Sequence, residues 1–180
     1  MRTYLKWGVA ALLLGTLAYL IWDFTTQLNR KKAVAQRTQT LPACTVQDIS
    51  GETFTIDPQG KPTVLIFFGP DCEHCQSEAR ELREQGASLS GARVVMLSAA
   101  PISALKTFVQ TYQLGNPAVA GGPASGRAVP DFRVAHIDRQ VARETFGFSS
   151  VPDVLIYHAD GTLSHRFKGE TSIAAIARHL

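Results

Sequence analysis

Glycine-rich phosphate loops and stripes of basic side chains are both missing from this sequence of 180 residues. With 18 Lys and Arg against 15 Asp and Glu, the net charge is only +3, which argues against nucleic acid as a partner. Cysteine is sparse as well. Cys44, Cys72 and Cys75 are the whole complement, so no second Cys pair exists to complete a zinc site. The five histidines (His74, His136, His158, His165 and His179) lack compact ligand spacing, and the sequence therefore predicts no metal site. Leu41-Pro42-Ala43-Cys44 mimics a lipid-attachment box, but no apolar segment immediately precedes it, which argues against lipidation.

What is present begins with an apolar run at the N-terminus. Residues 4–22 are almost continuously apolar, with Tyr4, Trp7, Tyr19 and Trp22 near the two ends. A membrane span needs roughly 17–25 residues, so this run suffices if Lys6 snorkels, and a membrane anchor is predicted over residues 1–24. Ala33-Val34-Ala35 resembles a signal-peptidase site, yet it lies well past the run and behind Arg30-Lys31-Lys32, so the anchor is expected to stay uncleaved. Arg2 and Lys6 compete with Arg30, Lys31 and Lys32 in setting orientation. The dithiol described below, with the short N-terminal tail, favours a single-pass protein of the cell inner membrane whose domain faces the periplasm or outside, where disulfides persist. Residues 25–40 read as a polar tether, and a folded domain as 41–180, a length that suits one full hydrophobic core.

Inside that domain the pattern alternates between strands and helices. Thr53-Phe54-Thr55-Ile56 alternates like a short strand, whereas residues 62–68 are too continuously apolar to be half-exposed and predict a central one. Cys75, Ala79 and Leu82 recur at helical spacing until Gly86. Residues 93–97 read as the next buried strand, followed by a helix on Leu105, Phe108 and Tyr112 that Gly115 should end. Residues 115–131, rich in Gly, Pro and Ala, predict a surface loop insertion. Strands over 132–137, 154–157 and 163–167 follow, with a helix over 138–146, a hairpin turn at Asp160-Gly161, and a terminal helix on Ile173, Ile176 and Leu180. The fold class is α/β, a central mixed sheet covered by helices on both faces.

Between the central strand and its helix lies Cys72-Glu73-His74-Cys75. It places two thiols one helical turn apart at a helix N-terminus, where a thiolate is stabilised and can exchange disulfides.

This order, with the dithiol between strand and helix and Val151-Pro152 just before a late strand, resembles the thioredoxin fold. More narrowly it is similar to the membrane-anchored TlpA/ResA-type thioredoxin-like proteins, which share sequence with the redoxin superfamily. The likeness runs from about Pro42 to the C-terminus, through Asp48-Ile49-Ser50-Gly51, the Cys pair, the segment from Phe146 to Pro152, and Asp160-Gly161 followed by Gly169. It implies a membrane-tethered thiol-disulfide oxidoreductase with Cys72 as attacking thiolate and Cys75 as resolving thiol. It also implies a cis Val151-Pro152 peptide that packs against the dithiol while the Val151 backbone pairs with a substrate strand. Glu78 then either assists proton transfer, as a Glu near the dithiol does in such proteins, or is a solvated charge beside Glu81 and Glu84. No cofactor is implied beyond the Cys72–Cys75 disulfide. The implied partners are client proteins with cysteines or disulfides, and an upstream membrane electron donor or acceptor.

Departures from the family pattern bear on direction. Pro70-Asp71 stands where many members have a Trp, and Glu73-His74 replaces the common Pro-Pro or Gly-Pro. A His before the second Cys resembles the DsbA-type oxidases, in which it helps hold the first thiolate, and so does Val before the proline. Glu73 and Asp71 oppose a thiolate by like-charge repulsion. Reduction is favoured over oxidation from the resemblance. The alternatives are a thiol peroxidase, although the residues before Cys72 lack that pattern, and a copper-delivery module, although such carriers usually place three residues between their Cys. Cys44 is expected to be buried and inert, and His136 and Asp138 to end a strand and cap the next helix.

Overall fold

The computed structural model describes residues 2–114 and 131–180, apart from the side chains of residues 2–6, 8–11, 13 and 31. Two units make up the chain, Met1–Gln36 and Arg37–Leu180. The first is the body of helix α1 (Arg2–Arg37). The segment read as a polar tether is helical as far as Arg37, a course the sequence reading did not specify. Local side-chain bonds accompany the helix where apolar periodicity is absent: Thr25 and Thr26 donate to the Trp22 carbonyl, and Gln27 bonds Asp23 one turn back. The predicted anchor falls on the first part of α1, where Trp7, Leu12, Leu14, Leu17 and the residues from Tyr19 to Trp22 are exposed. Among the described residues, no helix is long and apolar enough to cross a membrane.

The second unit is built on seven strands: β1 (Cys44–Asp48), β2 (Thr53–Ile56), β3 (Thr63–Phe67), β4 (Arg93–Ser98), β5 (Asp131–His136), β6 (Asp153–Tyr157) and β7 (Leu163–Lys168). They form one sheet in the order β2-β1-β5-β4-β3-β6-β7. The β3, β4 and β5 trio is parallel and all other pairings are antiparallel, so the sheet is mixed as expected. Helices α2 (Glu73–Gln85), α3 (Ile102–Tyr112), α4 (Arg139–Phe146) and α5 (Ile173–Ala177) complete the unit.

Burial explains the apolar runs. Every residue of β3, β4 and β6 is buried, as continuous apolar sequence requires of strands covered on both faces. Alternate side chains then feed two layers. Val64, Ile66 and Phe68 join Cys75, Ala79, Leu82, Leu105, Phe108, Ile173 and Ile176 on the α2, α3 and α5 side. Leu65 and Phe67 join Val95, Leu155, Tyr157, Ala142 and Phe146 on the α4 side.

Two helix ends differ from expectation. Gln113, in the left-handed region at φ 51°, closes α3 with its N–H returned to the Val109 and Gln110 carbonyls, so the helix stops short of Gly115. The insertion expected over 115–131 lies outside the described residues except for Asp131, which opens β5. The last helix ends at Ala177, and Leu180 packs on the core beyond it.

Pairing between β3 and β6 positions the site. Phe67 is opposite Asp153, so the chain leaving β3 toward Cys72 meets the chain entering β6 from Pro152.

Candidate active site

Cys72 is the N-cap of α2, with extended backbone (φ −86°, ψ 116°). A thiol can occupy a position usually taken by Ser or Asp because its sulfur accepts the Cys75 N–H at 3.3 Å, satisfying one of the unpaired donors of the helix start. Both cysteines are free thiols, Cys72 half-buried and Cys75 completely buried one turn along. Burial pushes the Cys75 thiol far up, and the neighbouring Cys72 and Glu78 push it further. The two thiols are therefore unequal. One is open to a partner, and the other is a shielded thiol that needs a base.

Gly69 shows what faces Cys72. A Cβ built there would lie 3.5 Å from Val151 Cγ2 and 3.6 Å from Cys72 Cβ, so the Val151 and Cys72 side chains both border Gly69. Val151 is 37% exposed beside a buried Pro152, and the peptide between them is cis. The resemblance implied the cis isomer.

Glu78 is buried, so it is not a solvated member of a charged helix face. The Thr171 N–H donates to its Oε1 at 2.8 Å, while Oε2 has no hydrogen-bond partner among the described residues. Burial raises its pKa from 4.5 to about 7, with Glu170 and Glu81 adding to the rise and the Thr171 N–H and His74 opposing it. In the folded chain Glu78 thus holds its proton more tightly than in the unfolded chain. Over the window from about pH 4.5 to 7 the folded state carries more protons, and stability falls as pH rises. Glu78→Gln is expected to abolish that slope. The variant should match the parent near pH 4 and exceed it by about 3 kcal/mol at most near pH 8, read from denaturant midpoints.

His74, which the resemblance places near the first thiolate, has a carboxylate partner. Its Nδ1 lies 2.6 Å from Glu170 Oε2, and bonds from His74 and Ser77 hold the Glu170 carboxyl below the usual range. Glu170 escaped the sequence reading because it stands 96 residues from its partner. Glu73 is exposed on the first turn of α2. Cys44 is buried, with its thiol pushed up by desolvation, in the layer opposite Cys75. His136 bonds the Ala100 carbonyl at the end of β5, and the Asp138 carboxylate caps α4 through the Gln140 and Val141 N–H groups. Among the described residues no cluster of three or more His, Cys, Asp or Glu could hold a metal ion.

A family model described as AhpC/TSA matches residues 38–166, most of the chain. The chain belongs to the AhpC/TSA family. The thioredoxin-like protein YneN of Bacillus subtilis is 26% identical over 118 residues, covering 62% of this chain and 69% of the relative. A secreted disulfide oxidoreductase of Mycobacterium tuberculosis, described as homologous to Escherichia coli DsbE, has a similar fold. Its TM-score is 0.59 at 24% identity, over 80% of this chain and 96% of that one. A peroxiredoxin-like protein from Aquifex aeolicus scores 0.60 at 15% identity, over 78% and 83%. The AhpC/TSA chain thus has a thioredoxin-like fold and is an oxidoreductase of the thioredoxin and redoxin kind.

A further device in this AhpC/TSA chain went unread in the sequence. Arg166 of β7 grips the fully buried Asp153 twice, Nε to Oδ1 at 2.9 Å and Nη2 to Oδ2 at 2.6 Å, and also donates to the Gly147 carbonyl at 2.8 Å. Both ends of the segment bearing Val151 and Pro152 are therefore tied to one guanidinium.

Proposed function

We propose that this protein is a membrane-tethered, extracytoplasmic thiol-disulfide oxidoreductase that exchanges disulfides with client proteins through Cys72 and Cys75, chiefly as a reductase. One observation carries the reading: a half-exposed thiol caps α2 one turn before a completely buried one. The apolar run at 4–22 supports the tether, and the dithiol supports a location outside the cytoplasm.

Reduction of a client proceeds in two exchanges. The Cys72 thiolate attacks one sulfur of the client disulfide, that bond breaks, and the departing client sulfur takes a proton from water. Cys75 then passes its proton to the Glu78 carboxylate, which removes the like-charge repulsion that ionising both would create. The Cys75 sulfur attacks Cys72, the mixed disulfide breaks, and the second client sulfur leaves and is protonated. The client gains two electrons, and the Cys72–Cys75 disulfide formed is reduced again by a dithiol donor on the membrane side. No bound cofactor enters either exchange.

The test uses Cys75→Ser, which should stop the reaction halfway. Incubated with a disulfide-bonded protein, this variant is expected to accumulate a mixed disulfide through Cys72 that dithiothreitol dissolves. Absence of any adduct, together with peroxide consumption by the unaltered chain, would overturn the reading in favour of a thiol peroxidase.

A further inference from the structure

Three consecutive residues between β7 and α5 each hold a different part of the site. The Gly169 N–H donates to the Pro152 carbonyl at 2.9 Å, Glu170 pairs with His74 at 2.6 Å, and the Thr171 N–H donates to Glu78 at 2.8 Å. Stability does not account for the middle contact. The His74 and Glu170 side chains are 68% and 46% exposed, and a polar contact so open to water adds little to stability. What the contact fixes is the place of the imidazole. His74 stands two residues after Cys72 in the first turn of α2, and a protonated imidazole beside a thiolate stabilises it. With Nδ1 committed to a carboxylate, the pair offers Cys72 no net positive charge.

We propose that Glu170 is a positioning residue that sets the redox bias of the dithiol, holding His74 in a carboxylate pair and so withholding it from the Cys72 thiolate. The inference rests on the reading of Cys72 and Cys75 as an exchanging dithiol. Its chemical consequence has a definite sign. Stabilising the thiolate stabilises the reduced protein and makes the couple more oxidising, so a carboxylate that withholds the imidazole keeps the couple reducing.

Equilibration of the full chain with reduced and oxidised glutathione at neutral pH tests this, two glutathione thiols converting the Cys72–Cys75 disulfide to the dithiol plus one glutathione disulfide. Glu170→Gln, which keeps the side-chain size and removes the charge, is expected to move the equilibrium toward the dithiol by about threefold to tenfold and to speed iodoacetamide labelling of Cys72. In a His74→Asn background the same substitution should shift it by less than about twofold. An unchanged equilibrium in the His74 chain, or an equal shift with and without His74, would overturn the proposal. A parent chain that forms no glutathione-dependent disulfide overturns it together with the dithiol reading. A parent that titrates while Glu170→Gln does not move overturns the Glu170 role alone.

Discussion

Cys72→Ser is expected to lose disulfide exchange by at least about a thousandfold while keeping its fold, because the nucleophile is removed and the cap is not. Serine is a favoured N-cap, and its oxygen can take the Cys75 N–H that the sulfur accepts in the parent. The hydroxyl does not ionise near neutral pH and forms no disulfide, so neither exchange can begin. Cys44 cannot substitute, since it is buried in the layer on the other side of the sheet. Turnover of a model protein disulfide beside a thermal melt checks both halves of the expectation. A variant that retained a tenth of the parent rate would place the reactive thiol elsewhere.

Asp153→Ala is expected to cost about 3–5 kcal/mol of stability, the largest effect foreseen for a residue outside the dithiol. The carboxylate is completely buried, and burial pushes its pKa up while Arg166 opposes that rise through two hydrogen bonds. Truncation would leave a partly buried guanidinium with carbonyl partners but no counter-charge. Phe148, stacked on Phe67 at 4.9 Å and under the Arg166 guanidinium at 5.9 Å, would lose part of its support at the same point. For a domain of this size the loss should lower the melting midpoint by roughly 10 °C. Asp153→Leu combined with Arg166→Met should recover much of it, because an apolar pair carries no desolvation cost. A double variant less stable than Asp153→Ala would show that the ion pair supplies net stability instead of only requiring completion.

Local pattern made much of this molecule readable. The apolar run of β3, the helical spacing of Cys75, Ala79 and Leu82, and the turn at Gly161 are short-range signals with short-range causes. Gly161 illustrates the point: its φ of +84° lies in the region glycine favours, and its N–H closes the turn on the His158 carbonyl. What stayed hidden was set by distant partners. Glu78 sits on a helix with other charges, and only its meeting with Thr171 across 93 residues shows it to be a buried acid. Arg166 belongs to a strand whose polar residues look solvent-facing until the pairing of β6 and β7 sets Leu155 opposite it and brings Asp153, the partner of Lys168, within diagonal reach of its guanidinium. The helical course of residues 25–37 was missed for a different reason. Its polar residues form bonds within one turn and leave no apolar stripe.

The loop from Gly169 to Thr171 also gathers what the rest of the chain scatters. Its three consecutive residues reach Pro152, His74 and Glu78, which lie on separate stretches of the sequence. A change in the length of the connection between β7 and α5 would therefore disturb those contacts as a set, whereas a side-chain substitution at Glu170 touches only the one made by a side chain.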